Sequence, residues 1–153
     1  MDIKLKLDFD FPSFDFNIKH GDSISLMGSC FSDEIGNHFK SNGFKTNSNP
    51  FGTIFHPIPL AQNILDSLNG KTKEEIYQRK DLFFSWHAAE NVFDCSADGI
   101  SSKMEDIRNQ VQVELKSTNV LFITFGTSFE YKNIHNQRVV ANCHKAPGNS
   151  FVK

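Results

Sequence analysis

A chain of 153 residues with 39% apolar and 22% charged side chains has the size and composition of one ordinary domain, or a piece of one, with a substantial core. Its formal charge of −2, with no Lys/Arg cluster along any predicted face, leaves no electrostatic footprint for nucleic acid. No segment reaches the roughly 18 apolar residues of a membrane span, the amino end lacks the pattern of a secretory signal, and Cys30, Cys95 and Cys143 show neither a disulfide framework nor zinc-ribbon spacing, so reduced thiols in the cytoplasm are expected.

In chain order, Ile3, Leu5 and Leu7 alternate ahead of an Asp/Phe-rich stretch with Pro12, which reads as an extended edge strand and loop. After the turn His20-Gly21-Asp22, Ile24, Leu26 and Met27 form a short buried strand, followed by a helix from about Ser32 to Asn42 with Ile35 and Phe39 facing the core and Gly43 past its end. Phe44 to Asn47 is a second short strand, and Asn49-Pro50-Phe51-Gly52-Thr53 is a turn cluster in which Gly52 leaves its amide exposed. A helix follows from Pro59 with Leu60, Ile64, Leu65 and Leu68 on one stripe and Gly70 beyond it. Thr72-Lys73-Glu74-Glu75 has capping-box spacing and predicts a short helix to about Arg79, while Leu82 to His87 reads as irregular strand or loop. A second capping box, Ser102 to Glu105, predicts a helix to about Lys116 whose core face is Met104, Ile107, Val111 and Leu115. Asn119 to Phe125 is nearly continuously apolar, as for a parallel strand covered on both faces, and Phe129 to Val140 predicts a hairpin turning near His135-Asn136. No repeat or linker divides the chain, so residues 1 to 153 are read as one domain.

The stretch from Ser23 to Gly36 carries the chemistry. A hydroxyl at a strand-to-helix corner is exposed at the carboxyl edge of a sheet, beside helix amides that stabilise a developing oxyanion. Two readings stand for Ser29: a nucleophile, or a residue that merely turns the chain and caps the helix. Cys30 is the competing nucleophile, read instead as a small buried hydrophobe. His20, His38, His56, His87 and His135 are scattered through turns and helix faces, and neither a metal nor a cofactor is expected.

Four stretches in order, Gly28-Ser29-Cys30-Phe31, Asn49-Pro50-Phe51-Gly52-Thr53, Phe125-Gly126-Thr127 and Val140-Ala141-Asn142-Cys143-His144-Lys145, resemble the GSCFA domain, which is grouped by fold with the SGNH (GDSL-like) serine hydrolases. Ser32 stands where that family usually has Ala, a departure expected to lie outside the chemistry. The resemblance implies an α/β fold, a three-layer α/β/α, flavodoxin-like parallel sheet incomplete at its C-terminal end. It also implies a Ser29 nucleophile, with oxyanion donors from the Ser29 and Gly52 amides and a polar side chain. Ser128 stands at the place of the usual Asn of a Gly-x-Asn motif, so Asn142 is the expected amide donor. No Asp-x-x-His follows, which leaves His144 as the candidate base, or a base outside this chain. The implied activity is an esterase or deacylase forming an acyl-enzyme with a small acyl or acetylated substrate. The alternative is a non-catalytic binding module retaining the front half of the fold. Half a sheet would also expose an unpaired strand edge, so self-association or a missing C-terminal half is expected.

Overall fold

A computed structural model describes residues 10, 15–70, 73–141 and 146–153. The first strand, β1 (Ser23–Gly28), runs into helix α1 (Cys30–Ser41) and then strand β2 (Lys45–Ser48), which lies parallel to β1. Strand β6 (Val120–Thr124) joins the other side of β1, also parallel, giving the order β2-β1-β6. Because neighbouring strand residues point to opposite faces, Leu26 and Met27 serve different layers. Leu26 lies beneath α1 at Gly36, where Phe39 also meets Phe122 across the same face. Met27 enters a core with Leu60 of helix α2 (Pro57–Asn69) and Ile100, Met104 and Val111 of helix α3 (Ala97–Ser117). The expected α/β layering is therefore present, with three helices and a parallel three-stranded sheet among the described residues.

Two small antiparallel sheets complete the described residues. Strands β3 (Ile76–Arg79), β4 (Leu82–Ser85) and β5 (Phe93–Asp94) pack on α3, and strands β7 (Tyr131–Asn133), β8 (Val139–Val140) and β9 (Phe151–Val152) form the other. The hairpin expected over Phe129 to Val140 is thus β7–β8, turning through Ile134 to Arg138.

Several local expectations are corrected. Residues 76–79 are strand, not helix: Ile76 and Tyr77 pair with Ser85 and Phe84, and the Tyr77 ring stacks on Phe84. Glu74 turns inward to the Arg108 guanidinium and accepts from Ser85, while Thr72 lies outside the described residues. Residues 82–85, expected to be irregular, are the central strand of that sheet. Helix α3 starts at Ala97, five residues before the Ser102 box, because Ser96 caps it by accepting from the Gly99 amide at 3.0 Å. In α2 the buried stripe is Pro59, Leu60, Asn63 and Ser67, whereas Leu65 and Leu68 are exposed, since the Asn63 amide reaches inward to the His87 carbonyl. Strand β6 is not covered on both faces: as an edge strand it leaves Leu121, Ile123 and the following Phe125 exposed. The alternating segment around Ile3 to Leu7 lies outside the described residues. No helix among them is long and apolar enough to cross a membrane.

Candidate active site

Strand β1 ends in Gly28, where a side chain is excluded twice over. Its φ is +130°, and a Cβ would stand 1.9 Å from the Thr124 carbonyl oxygen. The chain therefore leaves the sheet pressed against the end of β6, with Ser29 at the crossing, 6% exposed. Ser29 occupies the N-cap of α1 with extended backbone, yet its side chain makes no capping bond. A serine in that position ordinarily satisfies a first-turn amide, worth about 1 kcal/mol. Here Oγ turns instead to Thr124 Oγ1, 2.9 Å away.

Thr124 Oγ1 is also 3.0 Å from the Ser29 amide nitrogen and 2.8 Å from Ser32 Oγ, which is fully buried. A hydroxyl has one proton and two lone pairs, so three partners saturate it. The Ser29 N–H is necessarily a donor, so of the other two partners one donates and one accepts. When Ser32 donates to Thr124, Thr124 donates to Ser29 Oγ, and the proton of Ser29 is left to point away from the network. Ser32, expected to lie outside the chemistry, is thus the third member of the hydroxyl chain.

Asn49 organises the other side of the corner. Its backbone has a φ of 44°, a left-handed conformation that Asn tolerates better than most residues. Its side-chain oxygen accepts from the Gly28 amide at 2.8 Å, and its Nδ2 donates to the Ser29 carbonyl at 3.2 Å and to Asp33 Oδ2 at 2.7 Å. Thr53 Oγ1 donates to the same carboxylate at 3.2 Å, and the Ile54 amide donates to the Gly28 carbonyl at 2.7 Å. The Asn49 to Thr53 loop is in this way bonded to both ends of the β1–α1 corner. Nothing in the local sequence pattern separates Asn49 from an ordinary turn Asn.

Gly52 sits in this loop, but its amide is not exposed as expected: it donates to the Asn49 carbonyl at 2.8 Å, closing a turn. Its φ of +73° and the 2.3 Å that would separate a Cβ from Asn91 Oδ1 explain the glycine on structural grounds alone. The Ser29 amide is committed as well, at 3.0 Å from the Thr124 carbonyl. The amides of Cys30 and Phe31, in the first turn of α1, have no helix carbonyl to bond. Cys30 is exposed rather than buried, because it is the first residue of the helix and faces away from the sheet network. Asn142 and His144 lie outside the described residues. Ser128 is exposed in the bend after β6. Among the described residues no group of three or more His, Cys, Asp or Glu is placed to hold a metal.

Beyond β6, Gly126 brings Ser29 next to a cavity. A Cβ on Gly126 would lie 3.4 Å from Ser29 Cβ and 2.6 Å from the Phe55 ring, and its amide donates to the Phe55 carbonyl at 3.0 Å. The cavity, about 260 Å³, is bounded by Gly126, Phe55, Phe129, Tyr131 and Val140. Ser29 does not itself line it, and larger cavities, of about 450 Å³ beside Phe84 and Phe93, about 420 Å³ beside Lys45 and Glu114 and about 400 Å³ beside His87 and Arg138, are lined by neither Ser29 nor Gly126.

Comparison with curated proteins and with solved structures finds no match. A family model does match, over residues 23–153, a span that contains the Ser29 corner, the Asn49 loop and the end of β6, and the chain belongs to the GSCFA family.

Proposed function

We propose that the chain carries the nucleophilic side of an SGNH-like serine hydrolase, acting on acyl esters through a Ser29 acyl-enzyme. One observation carries the reading: a serine at a helix N-cap forgoes capping and holds its hydroxyl in a hydrogen-bonded chain at the carboxyl end of a parallel strand. The general placement of sites beyond the strand ends of open α/β sheets supports it, as does membership of a family grouped with serine hydrolases. In the reaction Ser29 Oγ attacks the ester carbonyl carbon and gives its proton to a base. The tetrahedral intermediate expels the alcohol, which takes that proton, and water then hydrolyses the acyl-enzyme. With the Ser29 and Gly52 amides committed elsewhere, the first-turn amides of α1 at Cys30 and Phe31 are the oxyanion donors, joined by Asn142. Thr124 supplies one further bond to Oγ. A hydroxyl is no base near neutral pH, so His144 takes the proton in this reading, a step that typically contributes about 100- to 10,000-fold.

A serine-directed fluorophosphonate should label Ser29, and Ser29→Ala should abolish the labelling; undiminished labelling of the variant would refute the assignment. A binding module without turnover is the competing reading. Its support is that, among the described residues, Ser29 Oγ meets a threonine hydroxyl and no imidazole or carboxylate. Ester hydrolysis that disappears in both Ser29→Ala and His144→Ala decides for the enzyme.

A further inference from the structure

We infer that the cavity behind Gly126 is an acyl-chain site, and that the group it takes is a short apolar acyl chain larger than acetyl; this rests on the reading of Ser29 as nucleophile. Position is the first argument. Gly126 lines the cavity and packs against the corner, the place of its missing Cβ lying 3.4 Å from Ser29 Cβ and 2.6 Å from the Phe55 ring. The cavity is thus the neighbour, across Gly126, of an acyl group bonded to Ser29 Oγ. Chemistry is the second argument. The walls are Phe55, Phe129, Tyr131 and Val140, with Thr127 and His56 as the polar members, and among the described residues no Asp, Glu, Lys or Arg lines it. The larger cavities differ on this point, holding Arg79, Lys80 and Asp81 in one, Lys45 and Glu114 in another, and Asp66 and Arg138 in a third. A wall without Asp, Glu, Lys or Arg accepts an apolar group without burying a carboxylate, ammonium or guanidinium. Size is the third argument. At about 260 Å³ the space falls just below that of pockets for drug-sized ligands, so it suits a short chain or a single ring. One methyl group would leave most of it unfilled.

Each methylene transferred from water to such a wall favours binding by about fourfold, the factor that corresponds to about 0.8 kcal/mol. Selectivity should climb over several carbons and stop where the cavity ends. The test needs a readout that does not depend on reaction at Ser29. Trp86 packs in one cluster with Val140 and Tyr131, so its fluorescence reports on the cavity wall. Neutral hexanamide should perturb Trp86 emission at a concentration at which acetamide does not, in the wild-type chain and in Ser29→Ala alike. In parallel, p-nitrophenyl hexylphosphonate should label Ser29 at least tenfold faster than the methylphosphonate. Thr127→Phe, which fills the space, should abolish both preferences. Phe129→Ala, at an exposed position that should not threaten folding, should weaken both by removing a wall.

Equal response to the two amides, or a hexyl preference untouched in both variants, overturns the inference. Equal labelling by the two phosphonates together with equal amide binding overturns it while leaving Ser29 as nucleophile. A hexanamide preference lost in Thr127→Phe, with no labelling of Ser29 by either phosphonate, upholds the cavity as an apolar-chain site and removes the nucleophile reading instead.

Discussion

Thr124→Val tests the hydroxyl network with little change of shape. The substitution removes the single atom that meets the Ser29 amide, Ser29 Oγ and Ser32 Oγ. The Ser29 amide keeps the Thr124 carbonyl at 3.0 Å, so little is lost there. Ser32 Oγ, with no solvent exposure, is left without its partner, and a buried unpaired hydroxyl costs about 1–3 kcal/mol. Taking about 2 kcal/mol, the thermal midpoint should fall by about 4–8 °C for a chain of this size. Ser32→Ala should cost about 1 kcal/mol, since it removes one bond and strands nothing. The decisive measurement is the double variant, followed by thermal and urea unfolding. With valine at position 124 facing alanine at position 32 the Ser32 hydroxyl is no longer orphaned and only Ser29 Oγ has lost its partner, so the pair should be more stable than Thr124→Val alone. Strict additivity, within the roughly 0.3–0.5 kcal/mol expected of independent sites, would refute the geometry. The same variants report on reactivity. Without Ser32 as donor, Thr124 is free to accept from Ser29 Oγ, and phosphonate labelling of Ser29 should slow severalfold.

Two further predictions concern groups on either side of the site. Asn49→Asp keeps shape and tolerance of a positive φ but replaces the donor to the Ser29 carbonyl and Asp33 with a second carboxylate; it should cost about 2–3 kcal/mol in urea unfolding, and a cost below about 0.5 would remove Asn49 as the organiser of the corner. Glu75 is held below the usual carboxylate value of 4.5: partial burial acts to raise it, and is outweighed by the bond from Asn136, the charge of His87 and the Arg138 guanidinium. A carboxyl depressed in the folded state stabilises fully above its unfolded value and loses that stabilisation as pH falls through the folded one. The difference in melting temperature between wild type and Glu75→Gln should therefore be present at about pH 5.5 and shrink as pH falls below 4.5. A difference that does not change down to about pH 3 would contradict the assignment.

The parallel sheet and its helices were legible because their signals are local. Ile24 to Met27 and Val120 to Ile123 are short apolar runs, and Gly43 and Gly70 mark helix ends with left-handed backbone. Where the reading failed, two local signals competed and a tertiary contact chose between them. Thr72 to Glu75 has the spacing of a capping box, but Ile76 and Tyr77 gain more from pairing with Ser85 and Phe84 than a short exposed helix would return. Gly99 argues against a helix at Ala97 by propensity, yet its amide donates to the capping Ser96 Oγ at 3.0 Å and the Asp94 carboxylate occupies the place where a Cβ would stand. The exposed Leu121 and Ile123 follow the same logic. An apolar run reports a strand that can be buried on both faces, and says nothing of whether a neighbour lies over it.

At the site the division is sharper. Ser29 was legible from the strand, small-residue turn and helix around it, whereas the partners that distinguish a nucleophile from a cap were not. Thr124 is 95 residues away, and nothing in a β-prone run marks one threonine as the neighbour of a particular serine. The parallel register brings them together, because Gly28 pairs with Thr124 and the next residue must pass over its side chain. Position 32 is a helix-packing position, since Ser32 is fully buried on the side of α1 that meets Thr124. What a serine adds there is a second hydroxyl partner for Thr124, and when it donates, Thr124 is left to donate to Ser29 Oγ. In a chain with alanine at this position, Thr124 would have only Ser29 to bond, and its proton would be used there or nowhere. A serine that donates here sets the direction of the hydroxyl chain, and with it the availability of the Ser29 proton to a base.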